Sequence, residues 1–217
     1  MVHFDEAEIQ EIGLINTDYP ELLRAIRNPP KALRFRGSLP PNWKIIAISG
    51  SRKTTEQALQ TAFRIGKMLA EHGYTIVTGL AEGCDEAAVE GALSVGGNVI
   101  GIIPCGLGAV RSQPRKRLAH QIFATGGAVI SEYPDNFSKV FRRHYLRRNE
   151  IITGLFKKTI IVAARERSGS SATANRAIQQ GREVIVTPHI KAKIERTTLV
   201  RNIGELKDAL GIARPKG

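Results

Sequence analysis

Cysteine is scarce in this 217-residue chain, which has only Cys84 and Cys105. Two cysteines make neither a disulfide framework nor a metal-ligand cluster. Histidine does not fill the gap: His3, His72, His120, His144 and His189 show no ligand spacing. No metal and no cofactor is therefore expected. No apolar run approaches the length of a membrane span. The start, "MVHFDEAEIQEIGL", lacks the basic and apolar regions of a secretory leader. A disulfide-stapled secreted module and a membrane-spanning protein are thus set aside, and a reducing cytoplasm is the expected setting. Three fingerprints are missing as well: GxGxxG, GxxxxGKS/T and GxSxG. A dinucleotide oxidoreductase, a P-loop NTPase and an α/β-hydrolase lose their main sequence support with them.

Acidic residues are also few, 20 against 32 Lys and Arg, which leaves a formal net charge of +12. That balance favours polyanionic partners: nucleic acid, phosphorylated ligands or an anionic surface. The length suits one large α/β domain, or one domain with a small appendage.

Residues 1–44 read as a short helical appendage and linker. Leu22, Leu23 and Ile26 have helical spacing, Pro29 and Pro30 stop the helix, and Pro40 and Pro41 punctuate the entry to the main unit. From residue 45 strand and helix patterns alternate to the end, so 45–217 reads as one Rossmann-like unit. Apolar strands fall at 45–49, 74–78, up to Ile103, 128–133, 159–164 and in "REVIVTP". Between them lie helices. One is capped by Thr54 or Thr55, with an inner face of Leu59, Ala62, Phe63, Gly66, Leu69 and Ala70, and is ended by Gly73. The others run from Asp85 (read as a cap) to about Val95, over 113–124, from "RRNEIITGLF", and over 172–180. "IGELKDALG" suggests a last helix. Such alternation implies parallel βαβ units and a doubly wound, mostly parallel sheet.

Ligands of an open parallel sheet bind beyond the carboxyl ends of the strands. Four glycine-rich or basic loops fall there: Gly50-Ser51-Arg52-Lys53, residues 79–83 with Gly79 and Gly83, residues 104–108 with Gly106, and residues 165–171 with Arg167, Ser168, Gly169 and Ser170. Glycine lets backbone N–H groups approach a phosphate, and a helix N-terminus adds partial positive charge. Each loop alone reads equally as a tight turn; four at one edge point to an anion site. A second signal lies between Arg111 and Arg148. Nine Lys or Arg, including Lys139, Arg143, Arg147 and Arg148, face only Glu132 and Asp135. Phe137, Phe141 and Tyr145 interleave with them. Cations for phosphates and aromatic faces for bases are what a single strand needs. The plain alternative is a solvated basic surface over packed aromatics.

Read in order, these loops resemble the DNA-processing protein A (DprA/Smf) family. "GSR" at Gly50, "TGLAEGCDEAAVEGAL", "IPCGLG", "GGAVISEYP", "YLRRNEIITGL" and "SGSSATANRAIQQGREVIVTP" are similar to its motifs, and the likeness runs from about Asp18 to Pro188. The resemblance implies a Rossmann-like core that binds single-stranded DNA, delivers it to a RecA-type recombinase in DNA uptake, and is dimeric. It implies DNA contacts for Ser51 and Arg52, a pocket shaped by Arg148 and Asn149, and phosphate or base contact at residues 168–170. The expected DNA-contacting set is Gly50, Ser51, Arg52, Lys53, Gly79, Gly83, Gly106, Lys139, Phe141, Arg143, Arg147, Arg148, Asn149, Arg167, Ser168, Gly169, Ser170 and Thr173. The chain departs from the pattern at Glu150 (usually Arg), Ala88 (His), Ala163 (Glu) and Leu146 (Pro), and ends shortly after the core with no room for the winged-helix domain many members carry.

Two other classes fit the same fold. A nucleoside-monophosphate hydrolase of the lysine-decarboxylase-like (LOG) group resembles PGGxGTxxE. Aligning its Thr with Thr173 puts Arg176 at the catalytic Glu, and Arg cannot accept a proton. A small-nucleotide sensor would not need nine extra cations.

Overall fold

The computed structural model describes residues 8–39 and 44–213. His3, Pro40 and Pro41 lie outside the described residues. In chain order the strands are β1 (Gln10–Gly13), β2 (Ala32–Gly37), β3 (Ile45–Ser49), β4 (Thr75–Thr78), β5 (Val99–Ile102), β6 (Ala128–Ser131), β7 (Lys158–Ala164), β8 (Glu183–Ile190) and β9 (Thr197–Leu199). The helices are α1 (Glu21–Arg24), α2 (Glu56–Glu71), α3 (Cys84–Leu93), α4 (Gln113–Ala124), α5 (Arg142–Gly154), α6 (Gly169–Gln179) and α7 (Ile203–Leu210). The strands make one nine-stranded sheet in the order β1-β2-β6-β5-β4-β3-β7-β8-β9. From β6 to β9 every neighbouring pair is parallel. The expected doubly wound α/β architecture is present.

Alternation along each strand builds two apolar layers. Ile46, Ile48, Ile76 and Val129 face a core that includes α2, α3 and residues of α4 and α7. Ala47, Val77, Ile100 and Ile130 face the other side, against Leu23, Ile26, Ile151 and Ile152. Ile161 and Val184 pack against Ala174 and Ala177 of α6. In α2, Thr55 caps the first turn by accepting from the Ala58 N–H at 3.3 Å. The buried stripe of α2 is Ala58, Ala62, Ile65, Gly66, Met68 and Leu69, so the expected inner face is rotated: Leu59, Phe63 and Ala70 are only partly buried. Each large apolar side chain fully buried in this way contributes roughly 1.5–3 kcal/mol.

The N-terminal segment differs from its expected helical form. Among its described residues only Glu21–Arg24 is helical, and β1 and β2 extend the sheet. Within β2, Leu33 and Phe35 are buried in the second apolar layer, a period of two that a search for helical spacing overlooks. β2 pairs antiparallel with β6, Phe35 opposite Ile130, and β1 pairs antiparallel with β2. The helix ends at Arg24, before it reaches Pro29 and Pro30, the residues expected to stop it, and the chain beyond them is drawn into the sheet edge. The sheet therefore continues across the boundary expected at residue 44.

Candidate nucleic-acid interface

After β3 the chain winds one way, to β4, β5 and β6; β7 and β8 lie on the other side. The loops leaving β3 and β7 therefore diverge from adjacent parallel strands and open a crevice at the carboxyl edge. A cavity of about 630 Å3 lies there, walled by residues 49–53, by Arg165, Arg167 and the start of α6, and by Arg142, Tyr145, Arg148 and Asn149 of α5. A smaller hollow of about 90 Å3 shares Arg52, Tyr145 and Arg148 and reaches Gly79 and Arg115.

The floor is set by Asp85, which is 4% exposed. Its carboxylate accepts from the Gly50 N–H at 3.2 Å and the Gly79 N–H at 3.0 Å, so one side chain of α3 ties together the loops after β3 and β4. Asp85 does not cap the helix as expected. The cap position belongs to Gly83, with φ +86°, and Asp85 points inward from the first turn. A Cβ at Gly83 would come within 2.6 Å of the Ser51 carbonyl and 2.5 Å of that of Arg52, so glycine is what lets α3 meet the loop. Beside Asp85 lies Arg148, 5% exposed, donating from Nη1 to the Ile102 carbonyl at 3.0 Å. Its guanidinium fills the space a side chain at Gly79 would need: a Cβ there would stand 1.6 Å from Nη1. Burial lowers Arg148 to about 10, against the pull of Asp85 and with help from Arg52. Burial likewise pushes the Asp85 carboxyl up, opposed by Arg148 and the backbone N–H groups. Two opposite charges in one dry place each make the other tolerable.

Above this floor the cations are open. Arg52 and Arg148 flank the Tyr145 ring, with guanidinium carbons 5.3 and 5.9 Å from its centre. Arg165 donates from Nη2 to the Lys53 carbonyl at 3.2 Å, and the Ser51 hydroxyl donates to the Ala163 carbonyl at 3.2 Å, which fastens the two loops across the crevice. Ser168 caps α6 by accepting from the Ser171 N–H at 3.2 Å. The next two residues, Gly169 and Ser170, line the cavity with the N–H groups a helix start leaves without intrahelical acceptors. Asn149 donates from Nδ2 to the Thr173 hydroxyl at 2.9 Å and pins α5 to α6. Arg52, Lys53, Arg165 and Arg167 are exposed, and among the described residues none pairs with a carboxylate. Among the described residues Asp85 is the sole carboxylate lining the larger cavity.

Of the expected set, the cavity collects Gly50, Ser51, Arg52, Lys53, Arg148, Asn149, Arg167, Ser168, Gly169, Ser170 and Thr173, with Gly79 in the adjoining hollow. Gly83 lies behind the loop, in a groove between α2 and α3. Gly106 is turned away from the cavity: its N–H donates to the Phe137 carbonyl at 2.8 Å and it packs on Pro134 and Asp135. Lys139, Phe141 and Arg143 line neither hollow; the Arg143 guanidinium lies 4.9 Å from the centre of the Phe141 ring, which is 54% exposed. Phe137 is packed, stacked 4.5 Å from Tyr133. Arg147 is fully engaged. It donates from Nε to both Glu132 carboxylate oxygens at 3.0 Å, and from Nη1 to the Asn28 carbonyl at 2.7 Å and to Glu150 at 3.2 Å.

The expected basic track is thus divided, and helix periodicity is the reason. α5 begins at Arg142, earlier than its sequence suggests, so Arg143 and Arg147 share one face while Arg142, Tyr145 and Asn149 share another. Started correctly, the same spacing would have marked Arg142 and Tyr145 as cavity residues. Asp85 carried no comparable signal, since its partners are backbone groups of two distant loops.

The class that fold and site define is thus a Rossmann-like one: an open, mostly parallel sheet with a cationic cradle and an aromatic face at its switch point. The DNA recombination-mediator protein A family matches residues 11–203, and the chain belongs to that family. The DNA processing protein DprA of Bacillus subtilis is 33% identical over 187 residues, which are 85% of this chain and 62% of that protein. The chain spans less than two thirds of the length of the curated relatives it matches first. The structure of DNA processing protein A from Streptococcus pneumoniae superposes with a TM-score of 0.79 at 28% identity, over 93% of this chain and 74% of that one. That of Helicobacter pylori, described for its single-stranded DNA binding mode, gives 0.78 at 23% identity over 96% and 98%.

Proposed function

We propose that this chain binds single-stranded DNA at the switch-point cavity, as a holder of the strand and not as a hydrolase. One observation carries the reading: five exposed cations, Arg52, Lys53, Arg142, Arg165 and Arg167, line the cavity beside a tyrosine face and a helix N-terminus, and among the described residues none has a carboxylate partner. Phosphates meet the cations and the N–H groups; bases meet Tyr145. The single-stranded DNA binding of the Helicobacter relative supports the same kind of ligand. Delivery to a RecA-type recombinase, a homodimeric state and a cytoplasmic setting complete the proposal on the strength of family resemblance.

Two features weigh against the hydrolase alternative. Both oxygens of Asp85 are engaged by backbone N–H groups, which leaves it poorly placed as a base. Arg176, at the position of the hydrolase glutamate, is paired with Glu150 at 2.7 Å on the side of α6 facing α5. Titration of fluorescent oligo-dT, with the matching duplex as competitor, tests the reading. We expect preference for the single strand, with affinity falling as salt rises by a slope of about −0.7 for each phosphate contacted. Equal binding to duplex, or release of ribose phosphate from nucleoside monophosphates, would overturn it.

A further inference from the structure

The segment after β8, "KAKIER", drew no function from its sequence. In the structure its first half stands at the same edge as the cavity. Ile190, the last residue of β8, lies opposite Ala164, the last of β7. The Lys191 N–H then donates to the Ala164 carbonyl at 2.8 Å, and the Lys193 N–H donates to the Glu166 carboxylate at 2.5 Å. The segment is therefore laced to the loop that carries Arg165 and Arg167. Its side chains alternate. Ile190, Ala192 and Ile194 turn into the apolar layer around α6, while Lys191 and Lys193 are exposed and have no carboxylate partner among the described residues. Glu166, the acid of that loop, is occupied by a backbone N–H.

We infer that Lys191 and Lys193 form a second phosphate-contacting station, which carries the bound strand out of the cavity past β7 and across β8. The inference rests on the single-stranded DNA reading and adds the direction of the strand, crosswise to the β-strands along their carboxyl ends. β8 is two strands from β3, about 10 Å by sheet spacing, and alternate outward residues on extended chain are about 6.7 Å apart. A flexible polyanion leaving Arg52 and Arg167 therefore meets the lysines within a few nucleotides. Arg196 is in the same segment but belongs elsewhere: the next residue, Thr197, pairs with Val184 near the start of β8, so the chain has by then returned toward the opposite end of the sheet.

That geometry supplies its own control. Affinity for oligo-dT is measured from about 50 to 200 mM salt for the unaltered chain, Lys191→Ala/Lys193→Ala, Arg196→Gln and Arg52→Ala. We expect the double variant to flatten the plot of log affinity against log salt by about 1.4, two contacts' worth, and to gain less affinity from lengthening a short oligonucleotide. Arg196→Gln should keep the full slope, although it removes a cation from the same segment. A double variant with the full slope, beside an Arg52→Ala variant that binds weakly, would overturn the second station and leave the cavity reading intact. Equal flattening by Arg196→Gln would also overturn it, by showing that only net charge matters. An Arg52→Ala variant that binds like the unaltered chain would remove the cavity reading and this inference together.

Discussion

The switch-point edge and the antiparallel edge of the sheet are both rich in arginine, and they use it in opposite ways. Around β1, β2 and β6 the guanidinium groups are occupied. Arg34 pairs with Glu11 at 2.7 Å, and Arg24 donates to the Asn16 carbonyl at 2.7 Å. Arg147 holds Glu132, Glu150 and the Asn28 carbonyl together. At the switch point Arg52, Lys53, Arg142 and Arg167 have no acid to hold among the described residues, and Arg165 has none either, spending only Nη2 on the Lys53 carbonyl. A guanidinium already engaged within the fold cannot meet a phosphate without breaking what it joins, whereas an open one loses only water and counterions. Count and sequence position of cations therefore say less about binding than the whereabouts of the few carboxylates.

Arg148 belongs to neither group, and disturbing it should have the largest effect. Asp85→Ala would strip two backbone N–H groups of their acceptor and leave the Arg148 charge buried without its counter-charge. A loss of about 3–5 kcal/mol is expected, read as a lowered urea midpoint. A loss below about 1 kcal/mol would mean that Arg148 reaches water and belongs with the open cations. The next pair crosses the comparison directly. Arg147→Ala should cost about 2 kcal/mol of stability through its charged hydrogen bonds, while leaving oligo-dT affinity of the folded fraction within about twofold. Arg52→Ala should do the reverse, with stability within about 0.5 kcal/mol and affinity down about tenfold. If both variants lose affinity alike, the two edges are not functionally distinct.

The parallel core was legible because its signals are local. "IIAIS", "TIIVAA" and the apolar stripe of α2 carry their periods within one element, and glycine-rich loops mark the carboxyl edge. β2 was not legible as a strand, although Leu33 and Phe35 alternate, because its pairing partner β6 lies about a hundred residues on. The same limit hid the division of the basic track. Arg147 and Arg148 are neighbours in sequence, yet the rotation of about 100° between successive helical residues sends the first to Glu132 and the second under the cavity. Asp85 looked like a helix cap because the loops it joins, at Gly50 and Gly79, are adjacent only once the sheet has formed.

Alkaline pH sharpens the comparison from the other edge. Tyr19 is 2% exposed and donates its hydroxyl to the Pro30 carbonyl at 2.9 Å, fastening the segment between α1 and β2. Burial pushes its phenol from 10 up to about 12. Between those values the unfolded chain releases the proton and the folded chain keeps it. The stability this group contributes is therefore full below about pH 10 and is lost as pH rises toward 12. Tyr19→Phe should lower stability at pH 8, where the hydrogen bond is intact, and should show a shallower decline from pH 10 to 12 in denaturant titrations. Parallel declines in the two proteins would place the alkaline weakness away from this edge.

The smallest effect concerns a residue that departs from the family pattern. Glu150 stands where the resemblance expects arginine, and it joins Arg176 at 2.7 Å and Arg147 at 3.2 Å. Neither Glu150 nor Arg176 lines the cavity, so the departure bears on the contact between α5 and α6 and not on the cradle. Both groups keep part of their surface in water, which limits such a pair to below about 1 kcal/mol. Glu150→Arg should cost about that much by crowding three cations, and adding Arg176→Glu should recover much of it, with a coupling near 0.5 kcal/mol in a double-mutant cycle. Oligo-dT affinity should stay constant through all four proteins of the cycle. Recovery of stability without change in affinity would show that a carboxylate can move between α5 and α6 while the open cations of the switch point stay as they are. A change in affinity would mean that the paired network reaches Asn149 and the cavity wall, and the two edges would then have to be treated as one electrostatic unit.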